Sequence, residues 1–243
     1  MKAKKIIINI LIILGFSLSG MAQFKGPSGE DLSQNSNRLQ GKLTGTVYNI
    51  TPEANANFFL HEKWNDGIIT LEDNDIFTGL KMRYYAYGDE LVVYNEKIRS
   101  LFIVDKNKVN EFRLVTSEKE MHFIKLDFEG YSSNQRYFEL IYQGVNKLVA
   151  FHFVEAFKVS PYSDRHGIMR DTEYRKSINY FMYSENEGFF KLQMRRRSIL
   201  KIFPDNKKEI RKLFRKNNLI INNESSMIRA FTLLEENEII KRP

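Results

Sequence analysis

The sequence predicts a mainly β fold of the α+β type. We expect an antiparallel β-meander that forms a curved sheet or a barrel-like domain, followed by a C-terminal αα-hairpin. Apolar and polar residues alternate in successive segments between residues 66 and 194. Turn-forming residues separate these segments about every ten residues, which is the spacing of hairpin-connected strands. Helical spacing of apolar residues begins only after residue 204.

Composition limits the chemistry that this chain can perform. Its 243 residues include 37 basic and 30 acidic side chains, a formal net charge of +7, and no cysteine. The 42% hydrophobic content is that of a folded globular protein rather than a disordered chain. The lack of cysteine excludes disulfides, thiolate nucleophiles, cysteine-ligated zinc, iron–sulfur clusters and a lipid anchor on an N-terminal cysteine.

Residues 1–22 have the three-part layout of a secretory signal peptide. Lys2, Lys4 and Lys5 form a basic start, and an apolar stretch and small residues follow. The apolar stretch is shorter than the about 20 residues that a membrane-spanning helix needs, so we expect the segment to be cleaved. No later segment is apolar enough to cross a membrane. Because animal secreted proteins of this size more often carry disulfides, we expect a bacterial location, either periplasmic or associated with the outer membrane.

Composition divides the remaining chain into three parts. Residues 23–57 are rich in Gly, Ser, Asn and Gln, and predict a poorly ordered lead-in with a short strand near residues 46–50. Residues 58–203 carry the alternating pattern and predict the antiparallel β domain. Residues 204–243 predict a helical hairpin packed on that domain.

The first strands of the β domain follow from turn signals and parity. We expect Asn65–Gly67 to form a turn ahead of a strand at residues 68–71. Gly88-Asp89 predicts a tight hairpin turn after the next strand. In that strand, one parity is apolar and is expected to face the core: Ile76, Leu80, Met82, Tyr84 and Ala86.

Later segments continue the meander. Further strands are predicted at residues 137–143, 147–158, 175–184 and 188–194. The segment at residues 147–158 is apolar on both parities through its middle, which is typical of a strand inside a sheet. An open curved sheet and a barrel both satisfy this pattern.

Two amphipathic helices are predicted near the C-terminal end. Pro204-Asp205 has the form of a helix start with Asp205 as the N-cap, and Asn217-Asn218 that of a helix end. Asn222-Asn223 opens the second helix. Its apolar stripe consists of Met227, Ile228, Phe231 and Leu234. We expect the stripes of the two helices to pack against each other and against the sheet.

Several short motifs occur in a fixed order along the chain. They are a tryptophan ahead of an apolar strand at residues 64–69, a Tyr-rich strand with a Gly-Asp turn at 82–91, the strand FELIYQG at 138–144, a tyrosine strand at 179–181, and a basic segment that runs into FPDNKKEI at 203–210. This arrangement resembles a group of exported β-rich proteins of Bacteroidota, such as those of flavobacteria, for which no activity is known. The resemblance implies export, a β-rich middle and Lys-rich C-terminal helices, and it implies no substrate.

The chain carries no recognised catalytic motif. It lacks the glycine-rich nucleotide-binding sequences and the G-x-S-x-G of hydrolases, and His61-Glu62 has no second histidine at helical spacing. His122 and His152 lie on strand segments, and we expect them to be buried structural residues. The segment before His166 supplies a hydroxyl, a carboxylate and a guanidinium, but catalytic triads are assembled across a fold rather than from consecutive residues. We therefore expect a non-enzymatic protein with no catalytic residue, no cofactor and no metal.

The most unusual feature is a basic segment at residues 191–216. It holds eleven Lys and Arg residues against only Asp205 and Glu209. This composition is typical both of a solvated helix face beside a charged edge strand and of a surface that contacts an anion. The predicted contact patch consists of Arg195, Arg196, Arg197, Lys201, Lys208, Arg211, Lys212 and Arg215. If the arginine triplet lies on a strand, Arg195 and Arg197 share a face and matter more for binding.

Together these observations predict a non-enzymatic exported binding or accessory protein of the bacterial cell envelope. Export argues against nucleic acid as the physiological target, so the expected partner is an envelope protein or an anionic lipid or glycolipid surface. The alternative is a periplasmic carrier that binds an apolar ligand in a barrel-like cavity. A carrier needs a continuous apolar cavity of roughly 300–1,000 Å³, whereas an accessory protein needs a filled core.

Overall fold

The computed structural model describes residues 42–49, 58–95, 99–128, 135–164 and 167–240. The expected signal peptide, most of the expected lead-in and His166 lie outside these residues. The described strands are β1 (Gly45–Val47), β2 (Asn65–Leu71), β3 (Ile76–Tyr85), β4 (Glu90–Asn95), β5 (Ser100–Val104), β6 (Val109–Val115), β7 (Glu120–Asp127), β8 (Gln135–Gln143), β9 (Lys147–Ser163), β10 (Met169–Ser184) and β11 (Gly188–Leu192). The helices are α1 (Arg196–Ile202), α2 (Lys207–Lys216) and α3 (Glu224–Glu236), with a short 3₁₀ turn at Lys106–Lys108.

The eleven described strands form a single sheet. Their order is β1-β5-β4-β3-β2-β6-β7-β8-β9-β10-β11, and every neighbouring pair is antiparallel. Strand β9 lies inside the sheet, as its apolar middle predicts. The sheet is not closed, because β1 and β11 are its two edges. The predicted mainly β fold is therefore confirmed, and the sheet has the open, curved form.

The sheet curls so strongly that strands far apart in its order face each other. The hydroxyl of Tyr84 on β3 lies 3.5 Å from the carbonyl oxygen of His152 on β9. The ring of Phe58, just before β2, lies 4.6 Å from that of Tyr174 on β10. On the inner face a group of rings packs at centroid distances of 4.6 to 6.4 Å: Tyr84, Phe112, Phe123 and Tyr137. Aromatic side chains therefore fill the space that the curled sheet encloses.

At the start of β3, the residues that face the core are not those that alternation predicts. Residues 80–84 alternate as predicted, but Ile76 is 56% exposed and Phe77 is buried instead. The register against β2 shifts at this point, and Gly79 has a φ of 71°. A bulge with a glycine in the left-handed region inserts one residue and reverses the parity before it. The prediction for Ile76 was wrong because the bulge interrupts the alternation.

The expected turn at Asn65–Gly67 is the first part of strand β2. Gly67 pairs with Leu80 on β3, and a Cβ atom at Gly67 would overlap the end of the Met82 side chain. Glycine therefore allows the Met82 side chain to pack against the β2 backbone. The prediction was wrong because Asn-Asp-Gly has the composition of a turn although its conformation here is extended.

The β9–β10 hairpin extends beyond the rest of the sheet. Strands β8 and β11 pair only with the inner parts of β9 and β10, whereas β9 and β10 pair with each other out to Ser163 and Met169. The outer part is mostly exposed, and cross-strand ion pairs such as Lys158–Asp171 at 2.8 Å link its two strands. The strands predicted at 147–158 and 175–184 were therefore too short, because cross-strand pairing replaces burial in the outer part.

The three helices cover the β8–β11 end of the sheet. Helices α2 and α3 are the predicted hairpin, and Asn223 caps α3 by accepting a hydrogen bond from the Ser226 N–H at 2.9 Å. Helix α2 begins after Asn206 rather than after Asp205. Helix α1 precedes the boundary expected at residue 204. The helices share one buried cluster with the sheet, which includes Leu148, Met182, Ile199, Phe214 and Phe231.

Candidate functional site

The basic segment forms an exposed surface of β11, α1 and α2. Helix α2 buries Ile210 and Phe214 in the shared cluster and turns its basic residues to solvent. We call the set of exposed cations in this segment the basic cap. It consists of Lys191, Arg195, Arg196, Arg197, Lys201, Lys207, Lys208, Arg211, Lys212, Arg215 and Lys216. All eight residues of the predicted contact patch are members.

The basic cap is not neutralised by the part of the chain that the structure describes. None of its eleven side chains forms an ion pair there. The two acidic residues of the segment, Asp205 and Glu209, are also exposed, and Glu209 accepts a hydrogen bond from Asn206 at 3.4 Å. The cap therefore presents its positive charge directly to solvent.

The placement of some of these charges opposes helix stability. Arg195–Arg197 occupy the N-cap and the first turn of α1, where no acidic residue is present. The positive end of the helix dipole favours carboxylates and repels cations at such positions. On α2, Lys208 and Lys212 lie four residues apart, as do Arg211 and Arg215. Like charges at this spacing destabilise an isolated helix by about 0.2–0.5 kcal/mol per pair.

The arginine triplet does not have the alternation that a strand would impose. Arg195 is the N-cap of α1, and Arg196 and Arg197 are its first residues. The triplet therefore does not lie on a strand, and the condition under which Arg195 and Arg197 were expected to share a face is not met. Lys201 follows Arg197 by four positions and therefore lies on the same side of α1.

A buried carboxylate forms a second polar cluster on the inner face of the sheet. Glu139 on β8 accepts hydrogen bonds from Nε2 of His152 on β9, at 2.7 Å, and from Nζ of Lys119, in the turn before β7. His152 is buried and hydrogen-bonded, as predicted. No hydroxyl among the described residues contacts a ring nitrogen of His152, so the cluster offers no activated nucleophile there. His122 is half-buried and contacts Glu111 at 2.8 Å.

Glu139 is ionised in this cluster. Burial alone would raise the pKa of its carboxyl, but the hydrogen bonds from His152 and Lys119 and their charge interactions together outweigh burial and lower the pKa below its ordinary value of 4.5. For Lys119, burial lowers the pKa, but the hydrogen bond to Glu139 and the negative charges of Glu139, Glu224 and Glu118 together outweigh burial and raise the pKa. The pair therefore holds opposite charges at neutral pH and joins the turn before β7 to β8.

We expect Glu139→Gln to lower the free energy of unfolding at neutral pH by about 1–3 kcal/mol, because it removes a charged acceptor from two buried hydrogen bonds. A carboxyl whose pKa is lower in the folded state stabilises the fold above its unfolded-state pKa of 4.5. That contribution disappears as the pH falls through the folded-state pKa. Urea midpoints measured between about pH 3 and 7 should therefore fall more steeply for the wild type than for the variant.

The control for this prediction is Glu185→Gln. Glu185 is exposed and pairs with Lys147 at 3.1 Å, an arrangement that contributes little to stability. The control should retain the wild-type midpoint and pH profile. A Glu139→Gln protein with an unchanged pH profile would contradict the assignment of a stabilising ionised carboxylate.

Glu139 and Arg83 were not singled out by the sequence analysis. Glu139 shares its strand parity with buried Tyr137, so a charged residue on an apolar face was the one signal that could have found it. Arg83 lies on the outer face of β3, on the parity opposite to the core residues. The side chains around Arg83 include those of β4 and β5. Alternation along one strand does not show which strands lie beside it, so the sequence could not predict this environment.

Comparison with known proteins gives no assignment of this site. No protein-family model matches the chain, and no curated protein or solved structure does so either.

Within the described ranges, no group of three or more His, Asp or Glu side chains is placed to hold a metal ion. None of the described helices combines the length and the apolarity that crossing a membrane requires.

Proposed function

We propose that the protein is an exported, non-enzymatic accessory protein of the bacterial cell envelope, and that the basic cap binds anionic lipid or glycolipid headgroups. The observation that carries the proposal is the cap itself. Its eleven exposed cations form no ion pair within the described part of the chain. Phosphate-bearing headgroups present the complementary charge over an extended surface.

The distribution of charge supports a directed contact. Residues 191–216 carry nine more positive than negative charges, whereas the whole chain carries a net +7. The excess positive charge is therefore concentrated in one segment and is not a property of the whole surface. Such a concentration attracts and orients the protein towards an anionic surface before contact is made.

The cost in helix stability also supports a role in binding. A helix face that only needed to be soluble would be better served by opposite charges at a spacing of four, since these stabilise helices. The basic cap instead has repelling pairs on α2 and arginines at the positive end of α1. An anionic surface would relieve both repulsions, which a solvated surface does not.

We favour a lipid surface over an acidic protein because the basic cap presents charge without an apolar contact surface. Its cations stand on helices whose apolar faces are buried against the sheet, so they contribute charge without apolar insertion. Each Lys or Arg close to an anionic membrane contributes about 1 kcal/mol of binding free energy. Several such residues give reversible, salt-sensitive attachment that does not require a shaped partner.

The carrier hypothesis receives no support from the inside of the sheet. The stacked rings of Phe112 and Phe123 lie 4.6 Å apart, and Tyr137 packs against Phe112 at 5.0 Å. These rings pack closely in the part of the interior that they occupy, whereas a carrier of this type needs a cavity of roughly 300–1,000 Å³.

Vesicle binding by charge-reversed variants tests the proposal. One variant replaces Arg195, Arg196 and Arg197 by Glu, and a second replaces Lys208, Arg211 and Lys212 by Glu. We expect both to bind vesicles of phosphatidylcholine and phosphatidylglycerol about 100-fold more weakly than the wild type, because three contributions of about 1 kcal/mol are lost. Wild-type binding should be absent on pure phosphatidylcholine and should weaken as salt is raised from about 50 to 500 mM.

A third triple variant is the matched control for charge. It replaces Arg113, Lys158 and Arg175 by Glu, which are exposed residues on strands outside the cap. It changes the net charge equally, so it should keep most of the affinity if the cap is the contact. Circular dichroism should show that both cap variants remain folded, since all the substituted side chains are exposed. Equal loss in all three variants, or no binding by the wild type, would overturn the proposal.

A further inference from the structure

A groove of about 400 Å³ lies on the outer face of strands β3, β4 and β5. Its volume is within the range of small-molecule sites in proteins. Aromatic and aliphatic side chains form its walls: Tyr48, Phe59, Trp64, Val92, Tyr94 and Leu101. Among the described residues that line it, Arg83 is the one charged side chain. The groove lies away from the basic cap, which stands on β11, α1 and α2.

The pairing of the strands brings these residues together. Tyr84 points into the core, so its neighbour Arg83 points to the outer face. Arg83 is directly opposite Val92 on β4, and Tyr94 on β4 is directly opposite Leu101 on β5. Parity and register therefore place all four outer-face residues side by side. Phe59 and Trp64, which lie close to the start of β2, complete the groove.

Arg83 has an incomplete set of partners. Its guanidinium carbon lies 3.7 Å from the centre of the Phe59 ring and 5.6 Å from that of Trp64. Its Nε donates a long hydrogen bond of 3.4 Å to the carbonyl oxygen of His61. No carboxylate among the described residues forms an ion pair with it, although Glu62 is close enough to act on its charge at longer range. Burial lowers the pKa of the Arg83 guanidinium.

A half-buried cation in an apolar groove is costly unless an anion compensates it. The guanidinium is planar and carries five N–H donors, which suit the two oxygens of a carboxylate or phosphate. Within the described part of the chain only Nε has a hydrogen-bond acceptor, which leaves the Nη donors of Arg83 available to a ligand there. A neutral apolar ligand would remove water from Arg83 without replacing it, and a cationic ligand would be repelled.

We propose that this groove binds a small amphipathic anion, with its carboxylate or phosphate on the guanidinium of Arg83 and its apolar body along the aromatic walls. The charge of Arg83 selects the headgroup. The six apolar side chains select for a hydrocarbon or aromatic body. This site is independent of the basic cap and can be tested without it.

Trp64 provides a direct optical signal for this site. It is the only tryptophan of the chain, it lines the groove, and its side chain is 37% exposed. Occupation of the groove should therefore change the fluorescence of the protein. The full chain can be titrated with decanoate, decyl phosphate, decanol and decyltrimethylammonium, each below the concentration at which it aggregates.

We expect saturable changes with decanoate and decyl phosphate, and at least about tenfold weaker binding of decanol, which lacks the charge-assisted hydrogen bonds. Comparison of the two anions shows whether the site prefers a carboxylate or a phosphate. Arg83→Gln should weaken both anions at least about tenfold and leave decanol unchanged. Lys81→Gln is the matched control, because Lys81 lies on the same face of β3 and pairs with Asp66 at 2.7 Å. It should keep the wild-type affinity within about twofold.

Three results would overturn the proposal: no saturable signal, equal binding of decanol and decanoate, or unchanged anion binding by a folded Arg83→Gln protein. If the Arg83→Gln protein does not fold, the pH dependence of ligand binding by the wild type tests the proposal instead. Its affinity for decanoate should fall as the ligand is protonated below about pH 5, whereas decyl phosphate stays anionic and bound. A decanoate affinity that is independent of pH would contradict a role for charge.

Discussion

Replacing Asp89 by alanine is expected to lower the free energy of unfolding by about 3–5 kcal/mol, because it removes a buried carboxylate that forms ion pairs with the half-buried Lys106 and Arg136. Asp89 lies in the β3–β4 turn and is only 2% exposed. Its carboxylate accepts hydrogen bonds from the Tyr84 hydroxyl at 2.7 Å and from Lys106 Nζ at 2.6 Å. It also accepts from the Tyr137 N–H at 3.2 Å and from Arg136 at 3.4 Å.

This carboxylate joins parts of the sheet that are distant in sequence. Tyr84 lies on β3, whereas Arg136 and Tyr137 lie on β8, so Asp89 stabilises the curl as well as its own turn. Burial and the nearby Asp89 raise the pKa of the Tyr84 hydroxyl well above its ordinary value. The hydroxyl therefore keeps its proton and remains a donor to Asp89 over the whole physiological range.

Two further variants separate the charge of Asp89 from its backbone conformation. Asp89 has a φ of 54°, a left-handed conformation that asparagine tolerates and alanine disfavours. Asp89→Asn should therefore lose less stability than Asp89→Ala. The loss of stability in Asp89→Asn then measures the contribution of the charge of Asp89. Asp66→Ala is the control, because Asp66 is exposed and its substitution should change stability by no more than about 0.5 kcal/mol. Urea unfolding followed by Trp64 fluorescence would measure these differences, and an Asp89→Ala protein as stable as the control would contradict the prediction.

Phe231→Ala is expected to lower the free energy of unfolding by about 3–5 kcal/mol, as is usual when a buried aromatic side chain is truncated. Phe231 on α3 is fully buried, and its ring lies 6.2 Å from that of Tyr142 on β8. It belongs to the cluster that contains Leu148 and Met182 of the sheet. The helices and the sheet therefore share one core, and we expect them to unfold together.

Two probes can test this cooperativity. Circular dichroism follows the helices, and fluorescence of Trp64 follows the β3–β5 part of the sheet. Both should show one coincident transition, shifted to lower urea in the variant. Ile220→Ala is the control, because Ile220 is 78% exposed and its truncation should be nearly neutral. A variant that loses the helical signal while Trp64 keeps its wild-type transition would show that the helical part is a separate unit.

The elements that alternation predicts well are those with one face in the core. The second half of β3 was located from parity, because burial of every second residue leaves a regular pattern, whereas the middle of β9 was located from a run that is apolar on both parities. Ile76 was misplaced because a single bulge at Gly79 reverses that pattern. Helix α1 was missed because its 7 residues make barely two turns, too few for a helical period to stand out.

The candidate sites differ in how far sequence could predict them. The basic cap was found from composition alone, since Lys and Arg residues are almost never buried without a partner and a run of them therefore forms a surface. Arg83 and Glu139 gave no such signal. The neighbours that make them unusual come from strands that are distant in sequence, as with Glu139 on β8 and its partner Lys119 before β7.

By itself the sequence determined the secondary structure class, the C-terminal helices and the segment that carries the positive charge. Each of these depends on the local order of apolar and charged residues, so a short window contains the information. The tertiary structure alone decided that the sheet stays open, that aromatic rings fill its curl, and that a groove with Arg83 lies on its outer face. These features depend on strand order, register and curvature, which arise from long-range contacts such as that between Tyr84 and the backbone of His152. No local pattern in the chain contains them.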